Sequence, residues 1–503
     1  MIFQQRDWAK RIGHFLAKKL QAEGCELAAL TFKKTTHKFI TGQDEVKYQF
    51  IENVDAIWED PKKTLAGEEI SLDQICDHLG LDSIWPLIYC DRWLAYSYGR
   101  KFYYSFRKNV PDEFMTTYIK AHYKVVRDLL EKFKPDLIIM AGYVYEGHIL
   151  LGRLGEINNI PNIAIADAKV PGYNIFVHDY LVKKGSLTRR VKELNSGIAQ
   201  SENFNKASNF IEEFRKEFKH PVYITESPKI SWLKKIKSEL APYKHVYNWY
   251  TKKKLRVNNI ESVGPTIDYR PPRIILRDFY CKKKYKRFAD KYSYFPFDKV
   301  GKFVFFPLQF TPEASADLIC PLFNNQIETA RQIAMSLPSD YTLVVKEHPA
   351  MVGLRTPSYL EKVALTPNVK LVDYRIPTER ILKKTDLVIS AYSTTIFEAA
   401  LYKKPAILLS DSGIFSLMPN VFKHSDMSSL SAKIKEVLDA RLNIEEYEKK
   451  LTNYIAAVFD VGFNFNYGKA WEKGGEDLEI FWNLYKTEIK RVLNEEQEKK
   501  DTI

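Results

Sequence analysis

The sequence predicts an α/β protein of two doubly wound halves facing a cleft, with a basic insertion between them and a helical tail. Three observations carry this. The chain has 503 residues, and at roughly 100–200 residues per domain that suits two or three domains. Two stretches alternate short, continuous apolar runs with helix-period segments, the pattern of parallel strands buried on both faces. Apolar residues make up 45% and charged residues 28%, near globular averages, which excludes disordered, collagenous or mucin-like chains.

The elements follow in order. An amphipathic helix is predicted over residues 6–22, then a short strand at Leu27–Phe32. Residues 85–133 read as mostly helical and rich in aromatics. Leu137–Ala141 is a continuous apolar run after Pro135-Asp136, a buried parallel strand. A helix over 146–158 and a strand at Ile163–Ala166 complete a β-α-β unit. Residues 181–300 are basic and carry Arg270-Pro271-Pro272-Arg273, an insertion and interdomain connection. The second block places strands at Phe303–Leu308, Tyr341–Lys346, Val369–Val372, Asp386–Ser390 and Pro405–Leu409. Helices at Asn325–Ser336, 377–383 and Thr394–Leu401 alternate with them. The predicted units are residues 1–230, an acceptor-side α/β domain; 231–300, the basic connection; 301–442, a nucleotide-binding domain; and 443–503, a charged helical segment.

Charge is concentrated. Lys and Arg number 76 against 63 Asp and Glu, a net of +13. Residues 231–300 hold 18 of the basic and 6 of the acidic residues, a net of +12, so the remaining 58 and 57 nearly cancel. The segment interleaves Trp232, Tyr243, Tyr247, Trp249, Tyr250, Tyr280 and Tyr285 with lysines such as Lys252-Lys253-Lys254 and Lys282-Lys283-Lys284. That suits an anionic membrane surface; a solvated lysine-rich insertion is the plain alternative. No nucleic-acid-binding signature accompanies it, so no nucleic-acid partner is expected. No run of 18 apolar residues and no secretory leader is present. Cys25, Cys76, Cys90, Cys281 and Cys320 lack CxxC spacing, which fits a reducing cytoplasm rather than disulfides or zinc. The expected location is cytoplasmic, peripheral to the inner membrane.

The chemistry is expected at carboxyl ends of strands, in the cleft between the halves. Lys346-Glu347-His348-Pro349 follows one strand, and Ser390-Ala391-Tyr392-Ser393-Thr394-Thr395 follows another and opens a helix. A hydroxyl-rich loop at a helix N-terminus offers hydroxyl and N–H donors and a favourable dipole to a phosphate. His348 can donate to the same phosphate, with Pro349 fixing its turn. Glu398, four residues after Thr394, can accept two bonds from ribose hydroxyls. Each motif alone could be a cap or an ordinary loop; together, on successive strands of one sheet, they read as a site.

These residues, with Lys404-Pro405-Ala406-Ile407 and Phe306-Pro307-Leu308-Gln309-Phe310-Thr311-Pro312-Glu313-Ala314, resemble the capsule polysaccharide biosynthesis glycosyltransferases over about residues 300–425. Those are GT-B enzymes of two Rossmann-like domains and include the bacterial Kdo transferases. Bacterial sialyl- and polysialyltransferases have a similar His-Pro and Ser/Thr pair, and CDP-glycerol polymerases a similar Ser/Thr-then-Glu helix. The resemblance implies a nucleotide-sugar donor, with His348, Ser393 and Thr394 on the phosphate and Glu398 on the ribose. It slightly favours a CMP-sugar such as CMP-Kdo over a UDP-sugar. Gln309 and Glu313 are placed to face the sugar. The implied acceptor is a saccharide or lipid-linked saccharide of a surface polysaccharide or glycolipid. No Asp-x-Asp or histidine ligand spacing appears, so neither metal nor cofactor is expected; helix dipole, hydroxyls and basic side chains can hold the leaving phosphate.

The N-terminal half is left to supply the catalytic base. Glu146 and His148 follow the 137–141 strand, and Asp167 follows the 163–166 strand, its loop turning through Pro171-Gly172. A carboxylate near a histidine suits general-base or nucleophilic work, although Glu146 and Asp167 would also serve as caps. Two other readings share the architecture: a UDP-sugar 2-epimerase, for which no convincing second acid/base set is found, and a non-catalytic sugar-nucleotide-binding assembly protein.

Overall fold

In the computed structural model, which describes residues 1–98, 108–217, 232–252, 256–465 and 476–502, the chain forms two sheets whose carboxyl edges look onto one cleft. The N-terminal sheet uses β1 (Ile2–Gln5), β2 (Ala28–Phe32), β3 (Phe50–Asn53), β4 (Ile138–Ile139), β5 (Asn162–Asp167) and β6 (Tyr173–Val177). The C-terminal sheet uses β7 (Phe303–Pro307), β8 (Thr342–Lys346), β9 (Val369–Val372), β10 (Leu387–Ser390), β11 (Ala406–Leu408) and β12 (Val421–Lys423). A last strand, β13 (Phe463–Asn464), returns to the first sheet.

The C-terminal sheet has the order β12-β11-β10-β7-β8-β9, with all its pairs parallel. Its central strands β7, β10 and β11 are buried along their whole length. This is the doubly wound pattern read from the apolar runs. The N-terminal sheet has the order β13-β6-β5-β4-β1-β2-β3, parallel through its middle and antiparallel at β5–β6 and β6–β13.

Strand β1, with all four residues buried, was not legible beforehand. Gln4 and Gln5 break its apolar run, yet Gln4 is fully buried and its Nε2 donates to the Tyr48 hydroxyl at 3.1 Å. The chain then turns at Arg6, with φ +47°, into Arg6–Trp8, a π-helical turn Ala9–Gly13, and the helix His14–Ala22. A Cβ on Gly13 would lie 2.1 Å from Gln4 Oε1 and 2.5 Å from the Trp8 ring. Glycine there lets the helix lie directly on β1.

The tail, expected as a separate helical segment from residue 443, completes the N-terminal half instead. Helix Ile444–Val461 packs on helices Ser186–Ser196 and Phe204–Lys216, and β13 pairs with β6. Helix Glu476–Thr502 sends Phe481, Trp482 and Tyr485 into the core that holds Ile2, Ile12, Leu16 and Phe176.

The basic connection is not one element. Helices Trp232–Thr251 and Pro272–Lys291 run antiparallel, with Lys283 paired to Glu239 and Tyr243 Oη 2.7 Å from Tyr280 Oη. Of the lysine triplets, Lys253 and Lys254 lie outside the described residues. The halves also meet directly. Tyr96 donates to Asp317 at 2.7 Å, and the Gly413 N–H donates to the Leu181 carbonyl at 2.7 Å. Among the described residues no helix is long and apolar enough to cross a membrane.

Candidate functional site

A cleft of about 580 Å³ lies at the carboxyl ends of β7, β8 and β10, with β5 facing it from the other half. Lys346, His348, Pro349, Gln309, Glu313, Ser393, Thr394, Thr395 and Glu398 all line it, and Asp167 closes it from the N-terminal side.

The His-Pro loop is held from beneath. Glu347 Oε1 sits in a buried ion pair with Arg355 at 2.7 Å and accepts the His348 N–H at 2.7 Å. Arg355 also donates to the Gln309 carbonyl and, at 3.3 Å, to Thr311 Oγ1. The pair therefore ties the loop after β8 to the loop after β7. His348 Nδ1 accepts the Ala350 N–H at 3.2 Å. Burial, with the charges of Arg355 and Lys346, pulls the imidazole down to about 4. It is thus neutral, with its proton on Nε2, the nitrogen left free for the cleft that the ring lines.

Beside it the helix Thr394–Leu401 opens. Ser393 is its N-cap and accepts the Thr395 N–H at 3.2 Å. Four residues on, Glu398 is buried, and burial pushes its carboxyl up to about 7 against the pull of Lys346. Lys346 is buried as well and comes down to about 8, its Nζ donating to Ile376 O at 2.9 Å and Thr378 Oγ1 at 2.8 Å. A buried carboxyl and a buried ammonium, each drawn toward its neutral form by burial, mark a poised site. The 374–378 loop that takes Lys346's bonds also lines the cleft.

Residues 242–416 match the family of the capsule polysaccharide biosynthesis proteins. The match covers about a third of the chain and contains every residue of the C-terminal cleft wall named above, so the resemblance read from the motifs is shown over that segment. Asp167, on the facing wall, lies outside it. No curated protein matches the chain. Among solved structures, the beta Kdo 2,4 transferase of Thermosulfurimonas dismutans KpsC is 14% identical over 65% of this chain and 81% of its own, with a TM-score of 0.35. The beta Kdo 2,7 transferase of the same KpsC is 12% identical over 67% and 80%, at 0.33. The UDP-GlcNAc 2-epimerase of Methanocaldococcus jannaschii is 11% identical over 92% and 97%, at 0.25. Scores this low carry no argument for one neighbour over another.

Ser390 and Gln309 tie the C-terminal wall of the cleft together. Ser390 is fully buried, and its Oγ accepts Gln309 Nε2 at 3.2 Å. Gln309 Nε2 also donates to Tyr392 O at 2.6 Å, while its buried Oε1 has no partner among the described residues. Gln309 thus stitches two loops together.

On the N-terminal side, Asp167 is exposed and accepts the Lys169 N–H at 2.7 Å. Lys169, at φ +66°, turns its Nζ to 3.6 Å from Asp167 and 5.1 Å from the Tyr392 ring centre. It lines the cleft as a cation reaching across the gap, and the sequence reading missed it. The structure does not bring Glu146 and His148 to the cleft. Both are fully buried: Glu146 bonds His122 Nδ1 at 2.7 Å, and the His148 ring packs 4.4 Å from Phe3. Burial pulls the His148 imidazole down to about 3. They do begin a helix after a strand, as expected, but the helix turns its first residues inward. A Cβ at Gly147 would sit 2.6 Å from His122.

A second chamber of about 780 Å³ opens from the first, sharing Phe310 and Glu313. Its walls carry Arg6, Asp7 and Trp8 after β1, Phe32 and Trp93, and the buried Asp91. Burial and the nearby Glu146 hold the Asp91 carboxyl well above the usual carboxylate range. Aromatic faces with a few polar groups suit a saccharide. Among the described residues no group of three or more His, Cys, Asp or Glu side chains is arranged to hold a metal ion.

Proposed function

We propose that the protein is a glycosyltransferase of bacterial surface polysaccharide assembly, taking a sugar from a nucleotide-sugar, with a CMP-sugar such as CMP-Kdo favoured. The observation that carries this is the convergence of one neutral histidine donor, an open helix N-terminus and a buried glutamate in one interdomain cleft, opposite an exposed carboxylate and a lysine. Ser393, Thr394 and the helix N-terminus take the phosphate with His348 Nε2–H, and Glu398 takes the ribose hydroxyls.

Transfer then needs little more than positioning and charge stabilisation. The acceptor hydroxyl enters from the second chamber. Asp167 removes its proton as the oxygen bonds the anomeric carbon, and the bond from that carbon to the phosphate oxygen breaks. Lys169 and His348 hold the charge that develops on the leaving nucleotide, without a metal ion. Asp7 stands in the chamber as the reserve carboxylate, while Asp91, held protonated, caps the helix that follows it. The acceptor is a saccharide or lipid-linked saccharide, and the enzyme works in the cytoplasm at the inner membrane.

The test is a thermal-shift panel of CMP, UDP and GDP, followed by transfer assays with the matching sugar nucleotides and saccharide acceptors. A ligand at 100 times its dissociation constant adds about 2.7 kcal/mol of stability. A CMP-selective shift and acceptor-dependent release of CMP are expected. Acceptor-independent conversion of a UDP-sugar would replace the proposal with an epimerase. Binding with neither reaction would replace it with an assembly protein.

A further inference from the structure

The helix Trp232–Thr251 has an inner and an outer face. One face, with Ala241, Pro242 and Trp249, lines a cavity against the body of the protein. The other carries Trp232, Ile236, Leu240, Tyr243, Tyr247 and Tyr250, all exposed. Their spacings of four, four, three, four and three place them, at 3.6 residues per turn, within an arc of about 80°. Trp232, Tyr247 and Tyr250 are 69%, 66% and 64% exposed. A water-facing stripe of that length needs a second low-dielectric partner.

We propose that this stripe seats the protein on an anionic lipid bilayer, lying in the interface rather than crossing it. The choice of a bilayer over another protein rests on residue type and charge. Tyrosine and tryptophan favour the depth of lipid headgroups, with their rings in the acyl boundary and their polar atoms wet. Lys237 and Lys244 are exposed along one border of the stripe, and the partner helix Pro272–Lys291 adds exposed Lys284 and Arg287 on the face of Tyr280, which meets Tyr243 of the stripe. Glu239 is the helix's one acidic residue, and Lys283 pairs with it. The same helix's inner face borders a cavity that also contains Phe310, the ring shared with both cleft chambers. A docked hairpin therefore holds the cleft mouth close to the lipid surface. The docking face is independent of the donor chemistry, so failure of the transferase reading leaves it standing, and the reverse.

Flotation with vesicles of phosphatidylcholine alone and of an equal mixture with phosphatidylglycerol, at low and high salt, tests this. The native protein should float with the anionic vesicles at low salt and retain part of that binding at high salt through the stripe. Leu240→Asp with Tyr247→Asp should remove the salt-resistant part. Lys284→Glu with Arg287→Glu should weaken low-salt binding about tenfold or more. An unchanged melting temperature and CMP response would show both variants folded; if the aspartates unfold the protein, Trp232→Ser with Tyr250→Ser replaces them. Absence of binding to anionic vesicles at low salt overturns the proposal. So does binding that neither pair of substitutions changes. A dimer in sedimentation velocity that the stripe variant dissociates also overturns it, by showing that a second copy covers the stripe.

Discussion

At the scale of single residues, the decisive point is which proton each group holds. His348 stays neutral above pH 5 because burial holds its imidazole near 4, so it can donate to a phosphate across the physiological range without changing charge. His348→Ala should weaken nucleotide binding by about 1–3 kcal/mol, the cost of a lost hydrogen bond to a charged group, and calorimetry on the folded variant measures it. Unchanged affinity would move the phosphate elsewhere. Asp167→Asn should cut turnover about a hundredfold while nucleotide affinity persists; full activity would shift the base to Asp7. Glu398 gives a pH signature. Its carboxyl is raised from 4.5 to about 7 in the folded protein, so the folded state keeps a proton that the unfolded chain has released. Stability therefore falls as pH rises from about 4.5 to 7, by about 3 kcal/mol at most. Glu398→Gln lacks this slope, and its melting temperature should gain on the native protein across that window. Parallel pH profiles would show that Glu398 is not held protonated. Sequence alone named His348, Ser393, Thr394 and Glu398, because a strand end and a helix start fix where such residues go. It named Glu146 and His148 wrongly for the cleft, because helix phase relative to the core depends on distant neighbours such as Phe3 and His122.

At the scale of elements, the two loops that build the C-terminal wall of the cleft are one unit. Arg355 bonds Glu347 in one loop and the Gln309 carbonyl in the other, and all three are buried. Removing one partner leaves an uncompensated buried charge, so Arg355→Met should destabilise the protein by about 3–5 kcal/mol. Adding Glu347→Gln should recover part of that loss, which chemical denaturation of the single and double variants would show. An additive double variant would mean the pair is not coupled. Arg355 was invisible in the sequence as a lone arginine in a loop, although Glu347 at the end of an apolar strand was a sign that some cation had to reach it. The six C-terminal strands were mostly legible because they are continuous apolar runs. Strand β1 was not, because Gln4 and Gln5 break its apolar run and Gln4 finds its partner only in the folded state: it donates to Tyr48, forty-four residues away.

At the scale of the whole molecule, the doubly wound halves were readable from periodicity, but the path of the tail was not. Helical charge patterns say that residues after 443 form helices; they do not say which half receives them. The apolar residues Phe481 and Tyr485 are fully buried against the N-terminal core, and Phe481→Ala should cost about 3–5 kcal/mol. Limited proteolysis should then open the N-terminal half before the C-terminal one. Equal protection of both halves would mean that the tail contributes little to the N-terminal core. The same path has a consequence for how the protein is made. Strand β6 acquires its outer neighbour, and Ile2 its cover, only from residues near the other end of the chain. At about 5–20 residues per second on the ribosome, the N-terminal sheet waits roughly a quarter of a minute to a minute with an unpaired edge and a bare apolar face. The C-terminal sheet is complete at Lys423 and can close first. Contrary to the usual N-to-C order, this nascent chain should finish its later half before its earlier one, and during that interval the early half is the natural client of a chaperone.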